Sequence, residues 1–375
     1  MNQGFYLSLQ MGDVNASPVP QPVIDALTEI QITSTVGSQS GFQMKFTLGK
    51  NSILSQVQLP SGYFDPRRRV IITVVVNGIS YVLMDGIITQ QDVTPSNKPG
   101  QSILTITGLD LTALMDFIDL TGIPYPGLPM FAVMGLILAK YLVLGVVPMV
   151  IPSAFDLIKN PLDGYRKQIG TDYQYITCWA EKYGNVFYLD PGPTPGMSTA
   201  YWGPSLSLFE SPQPALSVNM DAATNVESLS FTYDGLQAKQ YIVTILEPTT
   251  KIPIPILAPD LSILGPTLAT KAATPLRTEI LPDIANKSIA EATLLTLGAL
   301  ISSSEAITAN GELNVLRYGH ILKARKTVAV RGAGLPYDGL YQVKSVTHNI
   351  KRGEYKQSFS LARGGVMSTL SQVAV

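Results

Sequence analysis

Cysteine and histidine are almost missing from this chain: one cysteine, Cys178, and two histidines, His320 and His348, in 375 residues. A single thiol closes no internal disulfide, and so few nitrogen and sulfur ligands leave nothing to build a structural zinc cage. Charge is scarce as well. The 26 Lys+Arg and 27 Asp+Glu amount to 14% of the residues, beside a hydrophobic share of 46%; an ordinary soluble protein carries roughly 25% charged residues. This balance excludes disorder over most of the chain. A formal net charge of -1 removes the basic excess of a dedicated nucleic-acid binder. The opening Met1-Asn2-Gln3-Gly4-Phe5 lacks the basic and apolar segments of a secretory leader, so a cytoplasmic product is expected. The length suits two or three domains of about 150 residues each, and the low charge points to surface covered by other subunits.

One stretch is nearly free of charge. Residues 127–151 hold only Lys140, and about 20 apolar residues suffice to span a bilayer, so a membrane-associated or pore-forming protein is the competing reading. Pro124, Pro126 and Pro129 precede the run, Gly135 and Gly145 interrupt it, and Pro148 lies near its end. The favoured expectation is a helix over Phe131–Leu144, apolar on nearly every side and buried between domains or subunits. On that reading Leu136 is internal, and an aspartate there disrupts folding or assembly.

The first third reads as strands. Asn77-Gly78 between Val70–Val76 and Ile79–Met84 is the dipeptide of a type I′ hairpin. After Asp85-Gly86, Ile87–Val93 faces Ser102–Thr107, and Asp110 then caps a short helix to Phe117. Ile176, Trp179, Ala180 and Tyr183 recur at helical spacing, giving a helix over Asp172–Tyr183 that Gly184 ends. Asn185–Asp190 and Ser198–Trp202 pair behind it. Ala215–Met220, Val226–Tyr233 and Tyr241–Leu246 are further strands. Seven of the 27 prolines fall between Pro248 and Pro282, which marks an extended crossing. Ser288 and Glu291 form a capping box for the helix that follows. Strands return at Val315–Tyr318, Lys326–Val330, Leu340–Ile350 and Tyr355–Ala362, the last with Tyr355, Gln357, Phe359 and Leu361 on one face. Gly86–Thr89 with Ile103–Gly108 echoes Gly339–Val343 with Ser358–Gly364, as two related barrels would.

Chemistry is hard to find. Cys178 lies in a helix with no histidine nearer in sequence than His320, so it reads as a small buried apolar residue; a hydrolase built on Cys178, or on a serine with His348, is the enzymatic alternative. His320 and His348 read as ordinary loop and strand residues. Asp110, Asp116 and Asp119 cluster without a ligand loop and read as a solvated face. Gly332 and Gly334 lack the lysine and hydroxyl residue of a phosphate loop. Arg67-Arg68-Arg69 reads as a solvated strand edge. No catalytic, cofactor-binding or metal residue is assigned, and no cofactor is expected.

Several soft motifs together resemble a known family. They are Asp172-Tyr173-Gln174-Tyr175-Ile176 with Ala180 and Tyr183-Gly184, then Val186-Phe187-Tyr188 and Tyr201-Trp202-Gly203-Pro204. Gly339-Leu340-Tyr341-Gln342-Val343 with Val346, His348 and the closing Phe359–Gly365 complete the set. From about Val70 onward the chain resembles the baseplate hub proteins of contractile phage tails, the late control D proteins, whose hub also forms the first part of the VgrG spike proteins. The resemblance implies a mainly β protein with two tail-tube-like antiparallel β-barrels and a small α+β insert. The first barrel would comprise 1–115 and 205–247, the insert 116–204, the proline-rich crossing 248–287 and the second barrel 288–375. It further implies a non-enzymatic homotrimer that adapts the hexameric tail tube to a trimeric central spike and lines the delivery channel. Its partners would be the tube protein, a spike on a separate polypeptide because this chain stops after the hub signature, baseplate wedge proteins and the tape measure. Genome or cargo would pass without sequence-specific binding. The implied location is the virion tail baseplate, assembled in the host cytoplasm, or a bacterial contractile injection particle.

Overall fold

A computed structural model describes residues 4–98, 102–152, 166–205, 211–246, 252–257, 268–281 and 305–368, with six positions between 292 and 300. The expected capping box, Ser288 with Glu291, lies outside the described residues.

The protein is mainly β, and among the described residues 13 strands form one sheet. The N-terminal half supplies Phe5–Gly12, Ala16–Pro18, Leu27–Thr35, Gly41–Leu48, Arg69–Val76, Ile79–Thr94 and Ser102–Asp110; the rest are Gln213–Ser217, Ser228–Tyr233, Ile307–Asn314, Thr327–Arg331, Gly339–Lys351 and Glu354–Arg363. The halves are joined by backbone. Leu27–Thr35 pairs with Gly41–Leu48 on one side and with Gly339–Lys351 on the other, Ser345 opposite Thr35 and Lys351 opposite Glu29. The two echoed hairpins flank this central pair.

Local chemistry explains several elements. Asn77 and Gly78 take φ of 50° and 81°, the two positive angles that a type I′ turn needs. Asp85-Gly86, read from sequence as a break, lies inside the 16-residue strand Ile79–Thr94. Asp85 pairs there with Arg69, and a Cβ on Gly86 would stand 2.2 Å from the Leu109 carbonyl, so the close approach requires glycine. Val315–Tyr318, expected as a strand, is a helical turn: Asn314 accepts from the amides of Leu316 and Arg317, and Gly319 closes it at a φ of 81°. Gln357, the polar exception in the last strand, is buried but satisfied, accepting from Leu322 N at 3.0 Å and donating to Leu322 O at 2.8 Å.

Gln213–Ser217 and Ser228–Tyr233, grouped by the sequence reading with residues 1–115, pair with Thr327–Arg331 and Ile307–Asn314 of the C-terminal part. These partners are 74 to 115 residues away, so no local pattern encodes them. The proline-rich crossing carries short strands of its own. Pro253–Leu257 and Arg277–Ile280 flank Lys239–Leu246 in a small sheet, and Ala269–Ala272 pairs with Gly365–Ser368.

A second apolar core is built mainly from 116–204, joined by Ile87, Leu111, Ala113 and Met115. Val133, Met134, Ile137, Val146, Ile176, Ala200 and Trp202 are all buried there. The run 127–151 is divided: helix Met130–Ala139, a short 3₁₀ turn at Leu142–Leu144, then strand Val146–Val150, which pairs in parallel with Ser198–Pro204. The helix therefore ends five residues earlier than expected. No described helix is long and apolar enough to cross a membrane. Met130, Val133, Met134, Ile137 and Leu138 form the buried face, while Leu136 is 56% exposed. The sequence could not separate these faces because both are apolar. Leu136→Asp is consequently expected to leave the fold within about 1 kcal/mol of the parent, as solvent-facing changes do; an unchanged urea midpoint checks this.

Two buried arginines fasten this second core to the sheet. Arg69 grips Asp85 through two 2.7 Å bonds and also donates to the carbonyls of Val14, Leu144 and Gly196. Arg325 donates to Thr35 O, Ser40 Oγ and Leu189 O, with its guanidinium 4.1 Å from the ring centre of Tyr188.

Candidate functional site

The side chains of a strand alternate between faces, so a sheet with one buried face must show a second surface of different character. Seven adjacent strands, from Ser228–Tyr233 through Leu27–Thr35 to Ser102–Asp110, do so here. Ile30, Ile32, Phe42, Met44, Leu104, Ile106, Val346, Ile350, Phe359 and Ala309 point into the core. The residues between them are mostly hydroxyls and amides, and the register sets them in rows. Ser358 stands opposite Glu312 and Thr347, and Thr347 opposite Thr33. In the next row Asn349 lies between Lys356 and Gln31, followed by Gln43 and Thr107. Another runs from Ser230 through Asn310, Ser360 and Ser345 to Thr35. Hydroxyl contacts brace the rows: Thr33 to Thr347 at 3.0 Å and Ser345 to Ser360 at 2.7 Å.

Ionised groups gather toward one end of this face and are matched in sign. Glu29 meets Lys45 at 2.9 Å and Lys351 at 3.4 Å, and Lys356 meets Glu227 at 2.8 Å. The Lys45 hydrogen bond holds the Glu29 carboxyl below its ordinary range, and Glu227 raises the Lys356 ammonium. Binding of a polyanion needs unpaired cations. Here each of these lysines already has a carboxylate.

The one sequence signal for this surface is the period-two alternation of Leu27–Thr35 and Gly41–Leu48. The chemical candidates fare differently. Cys178 is exposed, a correction to the buried reading: the buried face of helix Asp172–Lys182 holds Asp172, Tyr175, Ile176 and Ala180, which leaves Cys178 outside. Asp110 is buried, another correction. It accepts from Ser40 N at 2.8 Å, Thr112 N at 3.0 Å and the Thr112 hydroxyl, and the helix behind it is only Thr112–Met115. Asp116 accepts from Thr171 and Asp119 from Thr121, so the three carboxylates serve local bonds. Arg67 lies over Phe117 and Arg68 pairs with Asp13, but Arg69 is buried with Asp85, against the solvated reading of the triplet. Gly332 and Gly334 both adopt positive φ in a turn. His320 is exposed, edge-on to Tyr318. Among the described residues no cluster of three His, Cys, Asp or Glu could hold a metal ion.

His348 is buried in the core strand, 2.7 Å from the Tyr355 hydroxyl, and burial depresses its pKa to about 3. A base depressed on folding takes up a proton more readily when unfolded, so its contribution to stability is complete above pH ~6.5 and is lost as the pH falls toward 3. His348→Gln is therefore expected to flatten the acid limb of stability by up to about 1.4 kcal/mol per pH unit. Denaturant midpoints of both proteins from pH 7 to pH 4 measure it, and parallel curves would refute the assignment.

Comparison with solved structures decides the fold. A tail protein from Neisseria meningitidis MC58 superposes with a TM-score of 0.65 at 14% identity, covering 97% of this chain and 98% of its own. The 43 kDa tail protein of prophage MuSo2 from Shewanella oneidensis gives 0.61 at 13% identity, covering 96% and 98%. The chain has the fold of a phage tail protein. An Escherichia coli component of the type VI secretion system, itself described as similar to bacteriophage T4 tail proteins, shares this fold with a TM-score of 0.53 at 10% identity, covering 93% of this chain and 78% of that one. No protein-family model and no curated protein sequence matches the chain. The tail-protein fold thus extends over nearly the whole chain, including the N-terminal strands that carry none of the sequence motifs.

Proposed function

We propose that this protein is the structural hub of a contractile tail or related injection particle, a homotrimer that joins the tail tube to a central spike. The polar seven-strand face is its channel wall, and this face is the observation that carries the reading. Hydroxyls and amides keep such a wall wet, while the matched ion pairs leave few free charges to hold a passing polymer. The fold shared with tail proteins and with a type VI secretion component supports the same setting. The hub works by position and shape and turns over no substrate.

Replacing Gln31, Gln43 and Asn349 together by lysine tests the wall. All three belong to the solvated side of their strands, so the triple variant is expected to fold and to form trimers by native mass spectrometry. Particles carrying it should deliver DNA or protein cargo at least tenfold less well, because a polyanion would now meet unpaired cations and the local charge balance would be broken. Delivery at the parental level from correctly assembled particles would remove this face from the channel.

A further inference from the structure

Where the large sheet meets the 116–204 core there is a small, partly open cavity of about 10 Å³. Its wall includes Ser40, Asp85, Asp110, Leu189, Pro191 and Ser198. Ser198 is only 2% exposed, and its hydroxyl finds no hydrogen-bond partner among the described residues. A buried hydroxyl left in that condition is costly, so such groups nearly always have a partner.

We propose that this cavity is a binding site for one ordered water molecule, which accepts from Ser198 Oγ and donates to the carboxylates of Asp85 and Asp110. The volume matches a single water, and the required two to four polar partners are present in the wall. Acceptor capacity is available: Asp85 receives Arg69 Nε on Oδ1 and Arg69 Nη2 on Oδ2, and Asp110 Oδ2 receives Ser40 N. Each of these three oxygens has room for a second donor, whereas Asp110 Oδ1 already accepts from the Thr112 amide and hydroxyl. Burial raises the pKa of both acids, and a donating water offsets part of that penalty. A hard cation fits less well, because Arg69 already neutralises Asp85 and such ions want six or more oxygens. The water joins strand Ile79–Thr94 and the end of Ser102–Asp110 to strand Ser198–Pro204, so the seat of the second core on the sheet is hydrated at its centre.

The sign of one substitution separates a wet cavity from a dry one. With the water present, Ser198→Ala removes a donor to it, and the unfolding equilibrium constant is expected to rise on the order of tenfold. With a dry cavity the same change deletes an unsatisfied hydroxyl, and the constant would stay the same or fall. A high-resolution crystal structure of the parent protein gives the second measurement. A peak at hydrogen-bond distance from Ser198 Oγ and at least one of the two carboxylates is expected. No peak, or a peak with oxygen contacts below about 2.6 Å that disappears when sodium and calcium are withdrawn, would overturn the proposal.

Discussion

Ser358→Pro is expected to abolish the folded protein, and every assembly with it. Ser358 sits in the middle of Glu354–Arg363, which is flanked on both sides: Glu312 lies opposite it on one neighbour and Thr347 on the other. A proline removes the amide donor and fixes φ near the helical value, so one ladder bond is lost and the pyrrolidine ring pushes against an adjacent strand. The buried ladder partner left unsatisfied costs about 1–3 kcal/mol and displacement of the neighbouring strand adds to it, against a total stability of about 5–15 kcal/mol for a typical domain. The same strand supplies Tyr355, Phe359 and Leu361 to the main core, so local opening would also uncover apolar surface. Ser358→Thr keeps the donor and a hydroxyl and is expected to behave as the parent. Circular dichroism, limited proteolysis and native mass spectrometry on the pair report the outcome; a proline variant with the parental melting midpoint would show that the strand is not central.

The second large effect is expected at Asp85. Its side chain is fully buried and that of Arg69 is 7% exposed, so Asp85→Ala would strand a guanidinium in a low-dielectric site. Breaking one partner of such a pair typically costs about 3–5 kcal/mol, whereas removing both charges together costs much less. The double variant Arg69→Met/Asp85→Leu is therefore expected to be more stable than Asp85→Ala alone by about 2 kcal/mol, although it gives up the bonds to Val14 O, Leu144 O and Gly196 O. Urea denaturation of the three proteins measures the difference. A single variant within about 1 kcal/mol of the parent would mean that water reaches the pair.

The features legible in the sequence were those with local causes. Asn77-Gly78 needs nothing beyond two residues to make its turn, and helix Asp172–Lys182 is announced by Thr171 and Gln174, whose side chains cap it reciprocally. Where the cause was distant, reading failed. Arg69 and Asp85 look solvated until the sheet brings them together, and Asp110 looks like a surface cap until Ser40 is packed against it. Helix Met130–Ala139 was overextended because apolar residues continue through Val143, which is itself exposed. The polar face was the hardest to see. Single strands show their alternation, but the rows join residues from opposite ends of the chain in a register that no window of sequence contains.

That register also governs when the protein can form. Thr33 and Thr347 touch although they stand 314 positions apart, so the strand Leu27–Thr35 has one ladder unfilled until Gly339–Lys351 has been made. Topology of this kind makes folding slow and leaves an edge open to unwanted pairing in the meantime. A chain interrupted before residue 339 can pair Leu27–Thr35 with Gly41–Leu48 but leaves the other edge of Leu27–Thr35 open to any would-be partner. Only chains that contain Gly339–Lys351 and Glu354–Arg363 gain the surface on which rows of side chains line up.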